Sequence, residues 1–148
     1  MPLTVGSYAL SDSDFLAALQ DCSLPLEQFR HGDHLRLAWL KLRADAFPIA
    51  LDSVRTTIRA FAAHHGKAAI YHETITTAWV ALLASHHEPT FAEFLNANEY
   101  LLNAKLLERY WSPQALFSSI ARESWLPPDR APLPVDLAML NSLTKDGH

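Results

Sequence analysis

Three histidines, His31, His34 and His72, stand at the start of two apolar stripes in the sequence. Both stripes repeat with offsets of 3, 4, 7 and 11 residues, which trace one face of an α-helix. An imidazole is therefore expected to point inward at the start of each of two helices. The stripes consist of His31, His34, Leu35, Ala38 and Leu42, and of His72, Ile75, Thr76, Trp79 and Leu83.

The three imidazoles have the chemistry of a transition-metal site. Three neutral histidines around one point bind zinc, iron, copper or nickel and leave positions open for water or substrate. The positive end of a helix dipole disfavours imidazolium, which keeps such rings neutral. The sequence therefore predicts a divalent transition metal held by His31, His34 and His72. Glu73, the predicted catalytic residue, or Glu27 in the preceding loop would add a carboxylate ligand or act as general base.

Two other interpretations of the histidines stay open. Two helix N-termini with imidazole donors also form a metal-free pocket for a carboxylate or a phosphate. Alternatively, the rings are buried structural groups, which is the usual role of a histidine on an apolar face. His65 lies at the end of the third predicted helix and is a further candidate member of the site.

The leading prediction of function is a metal-dependent enzyme that acts on a small molecule, by hydrolysis through a metal-activated water or by oxygen chemistry. The competing classes are a non-catalytic protein that binds a small molecule or an anion, and an accessory protein that binds a partner. The chain has no glycine-rich phosphate loop, no serine or cysteine nucleophile motif and no dinucleotide fingerprint.

The predicted helices explain how the histidines would meet. The second helix is predicted over about residues 33–43 with Asp33 as its N-cap, the third from Pro48 to Gly66, and the fourth over about residues 72–85. Short connections favour antiparallel neighbours in an up-down bundle. The second and fourth helices then start at the same end, where the third one stops.

Capping signals predict further helices after Ser11, after Thr90 and from Ser112 to about Glu123. Four prolines between residues 125 and 134 exclude a helix, so this segment is predicted to be extended and to wrap the bundle. The polar residues from about 141 to 148 are expected to fray.

The composition of the 148 residues fits one helical domain spanning the chain. Apolar residues make up 49% and charged residues 19%, so a core can form, while the presence of only four glycines favours helices. A net charge of −4 without a basic cluster argues against nucleic-acid binding. The sequence has neither a signal-peptide pattern nor an apolar run of about 18 residues. We therefore expect a soluble, cytoplasmic protein without a transmembrane helix.

The segments around the histidines resemble a family of small uncharacterised bacterial proteins. The shared patterns are Phe-x-His-x-x-His-Leu at residues 29–35 and Tyr-His-x-Thr at residues 71–74, followed by the proline-rich tail. The resemblance spans roughly residues 27–134. It implies a helical bacterial protein with a site at His31, His34 and His72 rather than at His65, and it implies no particular reaction.

Overall fold

Helices dominate the part of the chain that the computed structural model describes, which is Ser7, residues 9–136 and residues 138–140. No β-strand occurs in this part, and none of its helices has both the length and the apolar character to cross a membrane. The all-α prediction is confirmed. The α-helices are α1 (Asp12–Gln20), α2 (His31–Ala44), α3 (Phe47–His64), α4 (Glu73–Leu83), α5 (Phe91–Ala97), α6 (Pro113–Leu116) and α7 (Ser119–Glu123). Short 3₁₀ helices cover Leu26–Gln28, Ala68–Ile70, Glu99–Leu102 and Ala104–Arg109.

Local capping explains where several helices begin and end. The hydroxyl of Ser11 accepts the backbone N–H of Asp14 at 3.1 Å, and the hydroxyl of Thr90 caps α5 in the same way. Pro48 lies in the first turn of α3, where its missing N–H costs nothing. Gly66 follows that helix with a φ of 72°, a conformation that carries no side-chain penalty in glycine. These predictions are confirmed. They could be made from the sequence because each depends only on a few neighbouring residues.

Helix α2 begins at His31, two residues before the predicted start, so the prediction that Asp33 is its N-cap is wrong. The buried carboxylate of Asp33 accepts the N–H of Arg30 at 3.0 Å and that of Ser7 at 2.7 Å. A carboxylate at the third helical position satisfies an N–H that precedes the helix, as in a capping box. His31 therefore lies inside the first turn of α2.

Two further helix boundaries differ from the prediction. Helix α4 begins at Glu73, and His72 precedes it as its N-cap. The helix predicted from Ser112 to Glu123 is divided into α6 and α7, because the hydroxyl of Ser118 caps a new helix. A short turn therefore separates α6 from α7.

One cluster of buried apolar side chains extends from α1 to the C-terminal segment and includes residues from α2, α3 and α4, which pack against one another. Trp39 and Trp79 are buried in this cluster. The largest fully buried side chains are Trp111, Phe15, Phe61 and Phe94.

The proline-rich segment at residues 125–134 is extended and lies along the bundle, as predicted. The N–H of Leu126 donates to the hydroxyl of Thr74 at 3.0 Å, and the carbonyl of Leu126 accepts the indole N–H of Trp111 at 2.9 Å. Leu133 is buried in the core cluster. Residues 141–148, whose fraying is a prediction, lie outside the described part of the chain.

The stability of this arrangement depends on the buried hydroxyl of Thr74, which also donates to the carbonyl of Ser124 at 2.8 Å. The substitution Thr74→Val keeps the side-chain shape but removes both bonds. We expect the free energy of unfolding in urea to fall by about 1–2 kcal/mol, because the partly buried N–H of Leu126 and the carbonyl of Ser124 lose their partner. The exposed Thr56→Val is the control and should change it by less than about 0.5 kcal/mol. Equal effects of the two substitutions would show that this hydroxyl does not hold the segment.

Candidate functional site

A cavity of about 370 Å³ lies between α2, α3 and α4, and its wall is completed by the 3₁₀ helix Ala104–Arg109 and by the turn between α6 and α7. Most of the wall is apolar and includes Ala38 from α2 and Val54 and Ile58 from α3. The cavity is thus a candidate binding site with a few polar groups in an apolar wall. The polar side chains that line it are His31, His34, Thr76, Lys105 and Glu108.

Both stripes identified in the sequence contribute to this wall. Helix α2 supplies His31 and His34 from its first turn, and α4 supplies Ile75 and Trp79. Side chains three and four residues apart share one face of a helix, which is why their spacing predicts this grouping. His72 belongs to the second stripe in the sequence but does not line the cavity.

His31 faces the cavity with one ring nitrogen already bonded. Its Nε2 lies 2.9 Å from the carbonyl oxygen of Leu101, which can only accept, so Nε2 carries the hydrogen and donates it. The ring meets Trp79 edge to face, with the ring centroids 4.5 Å apart. Burial lowers the pKa of His31, so the ring is neutral near pH 7 and keeps a lone pair on Nδ1.

His34 is the second imidazole in the wall of the cavity. Its ring packs on Phe29 with the ring centroids 4.0 Å apart, and no hydrogen bond joins either nitrogen to another described residue. Burial lowers the pKa of His34 to about 4, with a smaller contribution from the neighbouring His31. Near neutral pH the ring is uncharged and offers one N–H donor and one lone pair.

His72 has a protein partner on each ring nitrogen. Its Nδ1 accepts the backbone N–H of Ile75 at 3.1 Å, which caps α4. Its Nε2–H donates to the carbonyl of Leu116 at 2.6 Å, and Leu116 lines the cavity. Burial lowers the pKa of His72 and thereby favours the neutral ring that both bonds require. His72 therefore connects the start of α4 to the cavity wall and has no free nitrogen in this arrangement.

Glu73, the predicted catalytic carboxylate, is buried and lies outside the cavity wall, where it pairs with α3. The Nε of Arg55 lies 2.6 Å from its Oε2. The hydroxyls of Tyr71 and Thr77 donate to the same carboxylate at 2.6 and 3.2 Å. Burial, followed by the effect of Glu73, raises the pKa of Tyr71 well above its ordinary value, so the phenol remains a donor. A role of Glu73 as general base stays a prediction.

The three predicted metal ligands do not converge in this arrangement. His31 and His34 share the cavity, whereas both nitrogens of His72 are bonded elsewhere. Across the described residues, no group of three His, Cys, Asp or Glu side chains is placed to hold a metal ion. A metal bound by all three rings would require His72 to give up its hydrogen bond to Leu116 or the one from Ile75, because each of its nitrogens is already bonded. Metal binding therefore stays a prediction.

The two other candidate members of the site also lie away from the cavity wall. The ring of His65 contacts that of Phe61, with the centroids 4.5 Å apart, and its buried Nε2 has no hydrogen-bond partner within the described part of the chain. Glu27 is exposed in the 3₁₀ helix Leu26–Gln28. Neither residue reaches His31 and His34 through a bond that the structure records.

Lys105, Glu108 and Phe117 line the cavity, and the sequence analysis did not identify them. They belong to segments that follow α5, and the core rather than a local pattern determines where these segments lie. The only signal in the sequence is the pair of opposite charges three residues apart, at Lys105 and Glu108, which is common on exposed surfaces.

Comparison of the chain with protein-family models, with curated proteins and with solved structures finds no match. The resemblance of the histidine segments to small bacterial proteins therefore stays a prediction.

The lowered pKa of His34 predicts how stability changes with pH. The unfolded chain binds a proton at this ring near the ordinary value of 6.5, and the folded chain only near about 4. The contribution is therefore fully present above pH ~6.5 and is lost as the pH falls towards ~4, by up to about 3 kcal/mol. We expect urea unfolding of His34→Gln to lose correspondingly less stability over this interval than the native chain. The matched substitution His87→Gln, at an exposed position, should leave the loss unchanged. Identical pH curves for the native chain and His34→Gln would contradict this assignment.

Proposed function

We propose that this protein binds a small, mostly apolar molecule in the cavity between α2, α3 and α4, and that His34 forms a hydrogen bond with a polar group of that molecule. The observation that carries the proposal is the neutral imidazole of His34, which lines an apolar cavity and has no hydrogen-bond partner among the described residues. An imidazole without a protein partner in an apolar wall can form its hydrogen bond with a polar group of a bound ligand.

The size and the wall of the cavity support this function. A volume of about 370 Å³ is near the lower end of the range of roughly 300–1,000 Å³ for ligand pockets. Apolar residues from three helices would exclude water from the body of a ligand. The low pKa of His34 keeps the ring uncharged, so binding need not remove an imidazolium ion from water.

A metal-dependent enzyme is the second candidate. It is favoured by the pair of neutral imidazoles, His31 and His34, which lie three residues apart and line one cavity. Because the described residues provide no third ligand beside them, this candidate requires a rearrangement of His72 or a ligand from the bound molecule. A cytoplasmic location and the absence of nucleic-acid and membrane partners stay predictions under both candidates.

Two ligands of equal shape test the hydrogen bond. p-Cresol and p-xylene differ by a hydroxyl in place of a methyl group, and only p-cresol can donate to His34. We expect the ratio of p-cresol affinity to p-xylene affinity, measured by titration calorimetry, to fall about fivefold in His34→Phe, because one hydrogen bond contributes about 1 kcal/mol. An unchanged ratio would show that His34 does not recognise the ligand.

A cavity-filling substitution tests the location of binding. In Ala38→Leu, three added carbon atoms occupy the cavity, so both p-cresol and p-xylene should bind more weakly. Ala63→Leu adds the same atoms at an exposed position of α3 and should leave both affinities unchanged. If Ala38→Leu leaves the affinities as they are, the ligands bind elsewhere and the proposal fails.

Metal analysis tests the second candidate. Protein without a histidine tag is incubated with zinc, iron, copper and nickel salts, desalted, and analysed for metal. The metal-dependent candidate predicts near-stoichiometric transition metal that is lost in His31→Ala and His34→Ala but retained in the exposed His87→Ala. Protein that stays metal-free rules out this candidate and leaves the small-molecule proposal in place.

A further inference from the structure

Two residues of opposite charge, Lys105 and Glu108, line the cavity in which we propose that a small molecule binds. Lys105 is exposed and Glu108 is partly buried, and both line the same cavity as His34. They lie three residues apart in the 3₁₀ helix Ala104–Arg109. Side chains at this spacing are eclipsed in a 3₁₀ helix, so the side chains of Lys105 and Glu108 leave this helix on the same face.

The backbone that carries these charges is held in place, while the charges themselves have no partner in the described part of the chain. The N–H of Lys105 donates to the side chain of Asn103 at 3.0 Å, and the guanidinium of Arg130 donates to the carbonyl of Glu108 at 2.7 Å. No ion pair within 4.0 Å involves either the ammonium of Lys105 or the carboxylate of Glu108. The backbone at Lys105 and Glu108 is thus anchored, and no recorded ion pair neutralises the opposite charges of their side chains.

We propose that the ligand of this cavity is an amphipathic zwitterion of the amino-acid type, with an apolar body in the cavity, its carboxylate at Lys105 and its ammonium at Glu108. This inference rests on the proposed function and adds the chemistry of the ligand's outer end. The carboxylate and the ammonium of an α-amino acid are joined through one carbon atom, so such a group bridges two protein charges that do not contact each other.

The pairing of charges distinguishes a zwitterion from a singly charged ligand. A ligand with only a carboxylate is attracted by Lys105 and repelled by Glu108. A ligand with only an ammonium is attracted by Glu108 and repelled by Lys105. The two effects oppose each other, so a single charge adds little affinity. A zwitterion gains both attractions, each of the modest size expected for partly exposed ion pairs.

Four ligands with one indole body test the inference: tryptophan, indolepropionate, tryptamine and propylindole. Affinities are measured by titration calorimetry at pH ~7 and low salt, where all the charges are present and screening is weak. We expect tryptophan to bind about tenfold more tightly than propylindole, because each ion pair contributes about threefold. Indolepropionate and tryptamine should bind about as tightly as propylindole.

Substitution of the two charges should change this preference in opposite directions. In Glu108→Gln the repulsion of a carboxylate is removed, so indolepropionate should bind about threefold more tightly while tryptophan binds more weakly. In Lys105→Met the repulsion of an ammonium is removed, so tryptamine should bind more tightly by the same factor. The controls are Lys67→Met and Glu123→Gln, which change exposed charges outside the cavity wall and should leave all four affinities unchanged.

The possible failures are distinguishable. The proposal of a zwitterionic ligand would be overturned if the four ligands bound with equal affinity, or if the substitutions left the order of the four affinities unchanged. Either result would leave the proposed small-molecule function in place. Tighter binding of indolepropionate or tryptamine than of tryptophan would overturn the zwitterionic ligand in favour of a singly charged ligand. Absence of binding by all four also overturns it, and the affinity of p-xylene for the same protein then decides whether the cavity function falls with it.

Discussion

The neutral imidazole of His72 joins two parts of the molecule that are 44 residues apart in the chain. One ring nitrogen accepts the N–H of Ile75 in the first turn of α4, and the other donates to the carbonyl of Leu116 in the cavity wall. Both bonds require the same neutral tautomer, because a carbonyl can only accept and an N–H can only donate. Burial keeps the ring in this form. The start of α4 and the adjoining wall therefore depend on one group.

His31 connects the other side of the cavity in a similar way. Its Nε2–H reaches the carbonyl of Leu101, which lies 70 residues further along the chain. Two of the three histidines, His31 and His72, thus connect the starts of α2 and α4 to segments later in the chain, whereas no hydrogen bond joins His34 to another described residue. A chain that needed only stability would fill this space with apolar side chains, because close packing without polar groups is more favourable. The proposed binding role rests on the open volume of the cavity and on the imidazole of His34.

The helical class, several helix starts and the grouping of His31 with His34 could be predicted because they depend on nearby residues. A serine or threonine hydroxyl caps an N–H three residues away, and side chains at offsets of three and four share one helix face. The wrong assignment of Asp33 as an N-cap also concerns a local bond, but its carboxylate has a second partner in Ser7, which is 26 residues away. Distant partners of this kind have no signature in the local pattern.

The sequence by itself determined that the chain is helical, that His31, His34 and the α4 stripe face inward, and that residues 125–134 cannot form a helix. Only the tertiary structure decided which polar groups these side chains meet. His72 and Glu73 have the residue types of a metal ligand and a general base, yet Leu116 and Arg55 occupy them. Lys105 and Glu108 reach the cavity because the core positions their segment. Periodicity indicates the face on which a side chain lies, whereas its bonding partners depend on how distant segments pack.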